Sequence, residues 1–506
     1  MAERAADPFE IFITRKGPAL ISGANRVSII RSVISNSEYN SRVVELCNIT
    51  ADTKLPKSSV FSALEDMVAK GVLRYASVSG KKGYAIDSYR LLRTTEPVTT
   101  YKDFAMDIIV NAPEGYSFNR LLFDYFTTSS LAHGMDITPI LKTVGYDFGR
   151  KLAGSHPDRN EALDFMIKSY RDLGIADIEV VSRLPLTLEI GFRLKSITGE
   201  FAKLLSAFIL SSFAYVFSEE TALRIGAVEA KDSKVTGTLV ERLTEDDFEI
   251  VPYDFKYDDD ADTEFMMYIS KTGAYRSIEN PLGLAIMDVM SSSVPMSSAE
   301  ITKALDQPVR KPQSSVLFYL EKMIDMGLVT EMEVKGKRRF LKCATNLYDW
   351  FSKEGLQYES NDVLADGFTS EASVFGDILT YSIVRLVTLC MSVEPVIKYI
   401  ASAVADAFCE ISDGKTIESV MSSISAKGSM FSLSDTSITS FMPFTFVRRV
   451  GSDINCVLAR VMLIFDSEFY RTVIAKVTGT NYNVLCKEHT IGDSKGYKLQ
   501  FTQQLL

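Results

Sequence analysis

Apolar side chains mark one face of a helix between Lys57 and Lys70. Val60, Leu64 and Met67 recur there at helical spacing. A proline and two serines at the start and a glycine at the end are usual boundaries of a helix. The chain continues as VLRYASV, SGKKG and YAI, which predicts a strand, a basic turn and a returning strand.

The same pattern returns 256 residues later. A gapless alignment of Pro56–Tyr84 with Pro312–Phe340 gives 11 identities in 29 positions. The second helix is again followed by a hairpin pattern, LVTEMEV, KGKRR and FLK. Upstream, NRVSIIRSVISN and PLGLAIMDVMSS predict a first helix in each copy, and NSRVVELCNI and SSAEITKALD predict a second. Two copies are too few for a solenoid, so the repeat indicates a duplicated domain pair.

A longer segment of mixed helix and strand follows each copy. Gly145 and Gly149 in the first align at the same offset with Ala401 and Ala405 in the second. Small residues four apart favour a helix packed closely on a neighbour. We therefore predict an α+β chain in which a small and a large segment are duplicated in tandem: small segment 1 (1–90), large segment 1 (91–250), an acidic linker (251–264), small segment 2 (265–345) and large segment 2 (346–506).

Bulk properties narrow the class of protein. The 506 residues are 46% apolar and 24% charged, as in a soluble protein of several domains. The net charge of −10 argues against coating DNA or membranes by bulk charge, although it leaves room for a local basic patch. The longest uncharged run, 204–218, is shorter than the ~20 residues that a bilayer needs. With no apolar leader segment, a cytoplasmic protein without a membrane partner is expected.

Cysteine and histidine usage predicts neither disulfides nor a metal. The six cysteines form no CxxC pair, and the three histidines lack the spacing of metal ligands. No nucleotide-binding or hydrolase motif occurs. We expect a protein that is not an enzyme and that carries no cofactor.

The repeated small segment resembles the ArsR-like winged helix-turn-helix family, through its SSV…L…M…G helix and the basic hairpin that follows. The resemblance implies double-stranded DNA as the partner, with the helix in the major groove and the hairpin, or wing, on the phosphate backbone. Serines at the helix start and basic side chains beside them and at the wing tip are suited to phosphate. The predicted DNA-binding residues are Lys54, Lys57, Ser58, Ser59, Lys81, Lys82, Arg310, Lys311, Ser314, Ser315, Lys337, Arg338 and Arg339.

The large segments resemble the V4R (4-vinyl reductase) domain, a small-molecule-binding α+β fold. Glu488, Gly492 and Asp493 match its terminal hairpin in the second copy, and Glu229 and Asp232 match it loosely in the first. Archaeal-type transcription regulators join an ArsR-like winged helix to a V4R domain, and this chain is similar to that architecture in duplicate. The resemblance implies a DNA-binding regulator controlled by a ligand or partner.

Several alternatives stay open at this point. The winged helices could dock a protein in an assembly factor, or the chain could carry a tetrapyrrole or lipid. The aromatic-rich helices predicted at Phe201–Phe217 and Cys456–Ile474 are the candidates for lining a pocket for an apolar ligand. A fused pair could act as an intramolecular pseudo-dimer, or the chain could form a homodimer. The ligand, the operator and the sign of regulation are not given by the sequence.

Overall fold

The fold is mixed α+β with several small sheets. The computed structural model describes residues 7–40, 43–78, 80–96, 106, 108–111, 116–153, 158–192, 194, 197–217, 223–241, 265–292, 294–306, 309–346, 370–388, 393–412, 416–426, 436–441, 443–450, 456–491 and 494–503. The predicted acidic linker at 251–264, together with Gly492 and Asp493, lies outside these residues.

Small segment 1 consists of a hairpin, three helices, a second hairpin and a closing strand. Its elements are β1 (Phe9–Thr14), β2 (Gly17–Ser22), α1 (Ala24–Asn40), α2 (Leu46–Thr53), α3 (Lys57–Ala69), β3 (Leu73–Val78), β4 (Lys81–Ile86) and β5 (Tyr89–Thr94). Helix α2 begins later than the sequence predicts, because Val44 is extended and exchanges backbone hydrogen bonds with Tyr84 of β4.

The described residues of large segment 1 form four long helices and two hairpins, and residues 108–111 are also helical. Its elements are α4 (Phe118–Ala132), β6 (Met135–Asp136), α5 (Thr138–Ala153), α6 (Arg159–Asp172), β7 (Asp177–Arg183), β8 (Leu186–Gly191), α7 (Gly199–Val216), β9 (Leu223–Lys231) and β10 (Lys234–Glu241). The strands form one antiparallel sheet in the order β7-β8-β10-β9, apart from β6, which pairs with β5.

Small segment 2 repeats the element order of small segment 1. Its elements are β11 (Met266–Ile269), β12 (Tyr275–Ile278), α8 (Pro281–Val289), α9 (Ser298–Ala304), α10 (Gln313–Asp325), β13 (Val329–Val334), β14 (Lys337–Lys342) and β15 (Thr345–Asn346). Met296 pairs with Phe340 as Val44 does with Tyr84. The first hairpin of each small segment, absent from the sequence-based prediction, pairs with that segment's closing strand.

The described elements of large segment 2 follow the order of the first, apart from β6. Its elements are α11 (Glu371–Thr388), α12 (Glu394–Ile411), α13 (Ile417–Ala426), β16 (Thr436–Phe441), β17 (Phe444–Arg449), α14 (Cys456–Thr478), β18 (Tyr482–Ile491) and β19 (Ser494–Gln503). The strand order β16-β17-β19-β18 matches that of the first sheet.

The buried apolar residues of the described ranges form three hydrophobic cores. Each small segment has its own core, whereas the two large segments share one. Strand β1 joins a small core to the shared one because its side chains alternate between faces. Phe12 belongs to the core of small segment 1, and Ile11 and Ile13 belong to the shared core. The sheet that contains β1 is thus buried on both faces.

The two large segments contact each other through corresponding residues. Gly376 lies against the side chain of Asn119, and the guanidinium of Arg120 lies 5.1 Å from the ring centroid of Phe375. At the 256-residue offset Asn119 corresponds to Phe375 and Arg120 to Gly376, so the two contacts are reciprocal. Reciprocal contacts of this kind are those of a twofold interface.

Close helix packing in large segment 1 requires glycine. A Cβ atom at Gly145 would lie 2.1 Å from the carbonyl oxygen of Phe208, and one at Gly149 would lie 2.2 Å from that of Ser212. Helix α5 therefore crosses α7 backbone to backbone, in agreement with the close packing that the small residues predict. The corresponding Ala401 in α12 is fully buried.

Candidate nucleic-acid interface

The third helix of each small segment presents an exposed face. In α3, Val60, Leu64 and Met67 are fully buried, and Lys57 and Ser58 are exposed. Helix α10 repeats this division: its buried residues are Val316, Leu320 and Met323, and its exposed residues include Gln313, Ser314 and Phe318. The buried residues recur at helical spacing, so they share the face that packs on the core. The opposite face of each helix is accessible.

The predicted serines do not cap these helices. Both helices begin after a proline, Pro56 or Pro312, and neither has a side-chain cap. Helices α4, α6, α8 and α9, in contrast, are capped by a serine, aspartate or asparagine side chain. The first turns of α3 and α10 therefore have backbone N–H groups that no cap uses. Ser58, Ser59 and Ser314 are exposed there, and Ser315 is half-buried.

The basic residues of the second hairpins stand on the returning strand instead of at the tip. Lys81 and Lys337 are the first residues of β4 and β14, paired with Val78 and Val334. The tip of the second hairpin is Lys335 and Gly336, both with positive φ. The second hairpin is thus tighter than the sequence predicts, because two-residue turns with positive φ match the twist of the strands. The exposed Lys335, which sequence reasoning missed, is the cation at the tip.

Two of the predicted wing cations are bound by carboxylates of their own segment. Arg338 Nε donates to Glu331 Oε1 at 2.6 Å, and its Nη2 donates to Oε2 of the same residue at 2.9 Å. Arg339 is paired with Glu300 on α9. The hydrogen bond from Arg338 holds the pKa of Glu331 below its usual value. Lys337 is exposed, so it and Lys335 are more accessible to a phosphate than the two arginines.

A carboxylate on the third helix contacts the hairpin in both copies. Glu65 on α3 accepts hydrogen bonds from the hydroxyls of Tyr75 and Tyr84. Burial and this hydrogen bond raise the pKa of Tyr84 to about 12. At the corresponding position on α10, Glu321 lies 3.5 Å from Arg338. In each small segment these contacts attach the second hairpin to the third helix, beside the exposed face of that helix.

The remaining predicted cations lie beside the third helices. Lys54 ends α2 in a left-handed conformation, with φ 57°, and it is exposed together with Lys82 on β4. Arg310 and Lys311 are exposed immediately before α10. In each small segment the predicted residues therefore form two groups, one at the start of the third helix and one on the second hairpin.

Charge is distributed unevenly along the chain. Residues 1–90 hold 13 lysines and arginines against nine aspartates and glutamates, and residues 265–345 hold 11 against eight. Both small segments are thus basic within a chain of net charge −10. The count is available from the sequence alone, and it is a stronger indication of a nucleic-acid interface than any single lysine.

The two small segments touch each other at the ends of their first hairpins and at the end of α3. Lys70 Nζ at the end of α3 lies 3.4 Å from Glu279 Oε2, directly after β12. Ser22, the last residue of β2, donates a hydrogen bond to the same carboxylate. The ends of β2 and β12 occupy the same position in the sequence repeat, so the contact of Ser22 with Glu279 lies where a twofold interface would meet its own axis. The pair of Lys70 and Glu279, in contrast, has no counterpart among the residues that the structure describes.

Other classes of site find little support among the described residues. Within them, no cluster of histidine, cysteine, aspartate and glutamate could hold a metal ion, and none of their helices combines the length and apolarity of a membrane span. An apolar cavity between α4 and α12 has a volume of about 30 Å³, room for about one water. That volume is far below what a tetrapyrrole or lipid requires.

Comparison with protein-family models, with curated proteins and with solved structures gave no match. The resemblances to the ArsR-like and V4R families therefore remain predictions from the sequence. The function is argued below from the residues of this chain.

Proposed function

We propose that the protein binds double-stranded DNA through its two small segments, each acting as a winged helix, in the manner of a transcription regulator. The observation that carries the proposal is the repeated interface: an uncapped third helix flanked by a basic hairpin, present twice in segments that are both basic. A helix N-terminus attracts phosphate through free N–H groups and the helix dipole. Exposed lysines beside it add the charge that phosphate neutralisation requires.

The arrangement of the two units favours joint binding to one duplex. Winged helices and related readers commonly bind as dimers to half-sites about one helical turn apart. In this chain a tandem duplication would supply both units, and Lys70 and Glu279 hold them in contact. We expect two half-sites of related but different sequence, because the third helices differ on their outer faces: the exposed Phe61 and Ser62 in α3 correspond to the half-buried Leu317 and the exposed Phe318 in α10.

Selection of duplexes from a randomised pool by the purified full-length chain tests this function. Enrichment of a bipartite site at near-physiological salt would support it. The Lys57→Ala and Lys311→Ala variants should each weaken binding to the selected site, whereas Lys234→Ala, on a hairpin of large segment 1, should not. A pool that shows no enrichment would refute sequence-specific binding.

Exposed aromatic side chains favour protein docking as a second function. Phe61 on α3 and Phe318 on α10 are about half exposed, and Tyr75 on β3 is 60% exposed. Aromatic residues are enriched in the centres of protein interfaces. The intramolecular pairing of Arg338 and Arg339 also fits a hairpin that docks a protein. Two results together would favour this alternative. The protein would not bind DNA at physiological salt, and it would retain a protein partner in a pull-down that the Phe318→Ala variant fails to retain.

A further inference from the structure

Each third helix carries one phenylalanine on its exposed face. The side chain of Phe61 on α3 is 49% exposed, and that of Phe318 on α10 is 54% exposed. Both lie within the first two turns of their helices, which begin at Lys57 and Gln313. A single exposed apolar residue is ordinary on a protein surface. An exposed phenylalanine in both copies is instead a shared feature of the candidate interface.

The two phenylalanines do not occupy the same position of the repeat. At the 256-residue offset Phe318 corresponds to Ser62, and Phe61 corresponds to Leu317. Ser62 is exposed and Leu317 is half-buried. Neighbouring residues of a helix are separated by about 100° around its axis and about 1.5 Å along it. Each outer face thus presents one phenylalanine, at a place that is shifted by one residue between the copies.

Basic side chains lie close to both phenylalanines. Lys57 is exposed about one helical turn before Phe61, and Lys311 is exposed directly before the helix that carries Phe318. Lys322 Nζ lies 5.4 Å from the ring centroid of Phe318. The centres of protein interfaces are depleted of lysine, whereas DNA interfaces are strongly basic. This charge favours a nucleic acid over a protein as the partner that covers the phenylalanines.

Several polar side chains that could read guanine or cytosine are bound within the protein. Arginine reads guanine at its base edge, and glutamate reads cytosine. Arg338 donates to Glu331, and Arg339 is paired with Glu300. Glu65 accepts hydrogen bonds from two tyrosine hydroxyls. These groups are therefore less available for base contacts than the exposed phenylalanines.

We propose that Phe61 and Phe318 each contact the C5-methyl group of a thymine in the major groove. Thymine presents a methyl group there, and phenylalanine is one of the side chains that contact it. Because a phenylalanine ring has no N–H or O–H group and no oxygen acceptor, its contact selects the apolar methyl group. Each half-site would then contain an A·T pair beneath the third helix. This inference rests on the proposed function and adds the base that is read.

The shift between the two phenylalanines predicts an asymmetry in the DNA. A change of one residue turns the side chain by about 100° around the helix axis. The thymine should therefore stand at a different distance from the centre of each half-site. An asymmetric pair of thymines agrees with the expectation of related but different half-sites.

Replacement of thymine by deoxyuridine tests the contact. Deoxyuridine pairs with adenine as thymidine does and lacks only the C5-methyl group. Each thymine of a duplex selected from the randomised pool is replaced in turn, and the Kd of the full-length protein is measured by fluorescence anisotropy. We expect one thymine in each half-site whose replacement raises the Kd about 3–5-fold, as the loss of one buried methyl group does.

Variants of the protein assign each thymine to its phenylalanine. Phe61→Ala should bind the thymine and deoxyuridine duplexes equally at one half-site, and Phe318→Ala should do so at the other. Two controls should keep the wild-type response: Ser62→Ala, beside Phe61 on the exposed face, and Phe165→Ala, an exposed aromatic residue on α6 of large segment 1. Circular dichroism shows whether each variant is folded, and Phe61→Gln or Phe318→Gln replaces an alanine variant that is not.

Three results would overturn the thymine contact. One is a Kd that no deoxyuridine replacement changes, and another is a response to the methyl group that persists in both phenylalanine variants. The third is unchanged DNA binding by Phe318→Ala together with loss of a protein that the wild type retains in a pull-down. Failure of the proposed function is distinguishable, because no duplex is then enriched before any thymine is replaced, and this inference fails with it.

Discussion

Lys70 Nζ lies 3.4 Å from Glu279 Oε2, so an ion pair joins the two small segments across 209 residues of chain. The side chains are 18% and 30% exposed, which places the pair between a surface and a buried salt bridge. A pair of this kind fixes the relative position of the two segments more than it adds to stability.

A double-mutant cycle measures this contact. Lys70→Met and Glu279→Gln, alone and together, should give a coupling energy of about 0.5–1 kcal/mol in urea unfolding. The Glu279→Gln change also weakens the hydrogen bond from Ser22, so it should destabilise the protein more than Lys70→Met. A coupling energy of zero would show that the small segments are not held together by this pair.

The hairpin cations should differ in their contribution to DNA binding. Lys337→Ala should reduce the slope of log K against log salt by about one, because an exposed lysine releases about one counterion on meeting a phosphate. Lys234 is the matched control, since it is also the first residue after a hairpin turn and is also exposed. Equal slopes for the wild type and Lys337→Ala would remove this hairpin from the interface.

Release of Arg338 should strengthen DNA binding at low salt. Glu331→Gln removes the carboxylate that accepts two hydrogen bonds from its guanidinium, and it also deletes a negative charge beside the hairpin. We expect a tighter Kd and a steeper salt slope in anisotropy titrations. Unchanged binding would show that Arg338 serves only to attach the hairpin to α10 through Glu321.

Glycine at position 145 should be necessary for the packing of α5 on α7. Gly145→Ala brings a methyl group to 2.1 Å from the Phe208 carbonyl oxygen, and backbone atoms cannot move aside without shifting a helix. The free energy of unfolding should fall by about 1–3 kcal/mol. Gly376→Ala is the control, because its methyl group meets side-chain atoms of Asn119 and Leu458, which can shift more easily than a helix backbone. Similar losses in the two variants would contradict the close helix crossing.

His133 should make the stability of the protein sensitive to acid. Its ring lies between Tyr275 of small segment 2 and Tyr399 of large segment 2, and burial lowers its pKa from 6.5 to about 4. The unfolded chain therefore binds a proton on His133 more readily, and stability falls as the pH drops from about 6.5 towards 4. Between pH 7 and pH 5 the loss should be about 2 kcal/mol.

The His133→Gln variant isolates this contribution. Urea unfolding of the wild type and the variant at pH 7 and pH 5 gives the difference due to His133 alone, since the other titrating groups are common to both. The wild type should lose more stability than the variant over this interval. Parallel losses would show that His133 is accessible to protons in the folded protein.

Much of the fold can be predicted from local patterns in the sequence. Helices α3 and α10 were predicted within two residues because an apolar face, an initial proline and a final glycine act over a single helix. The glycines at 145 and 149 likewise predicted a close helix crossing. Each of these features depends on residues that are neighbours along the chain.

Contacts between distant residues were not predictable in the same way. The hairpin β1–β2 and its pairing with β5 join segments more than 70 residues apart, and no pattern in either segment specifies the partner. The sequence also does not show that Arg339 is paired with Glu300. This pairing makes the arginine less accessible to a phosphate than the basic hairpin sequence suggests. A pocket of about 330 Å³ beside Arg93 is lined by residues from six elements, so it exists only in the folded chain.

Fluorescence anisotropy of the full-length protein tests the central claim most directly, with its own upstream DNA and a scrambled duplex titrated at two salt concentrations. If the two small segments read DNA, the upstream duplex should bind more tightly at near-physiological salt, and the preference should survive the increase in salt. Equal binding to both duplexes that disappears as salt rises would contradict the claim, and the third helices and hairpins would then be surfaces for docking a protein.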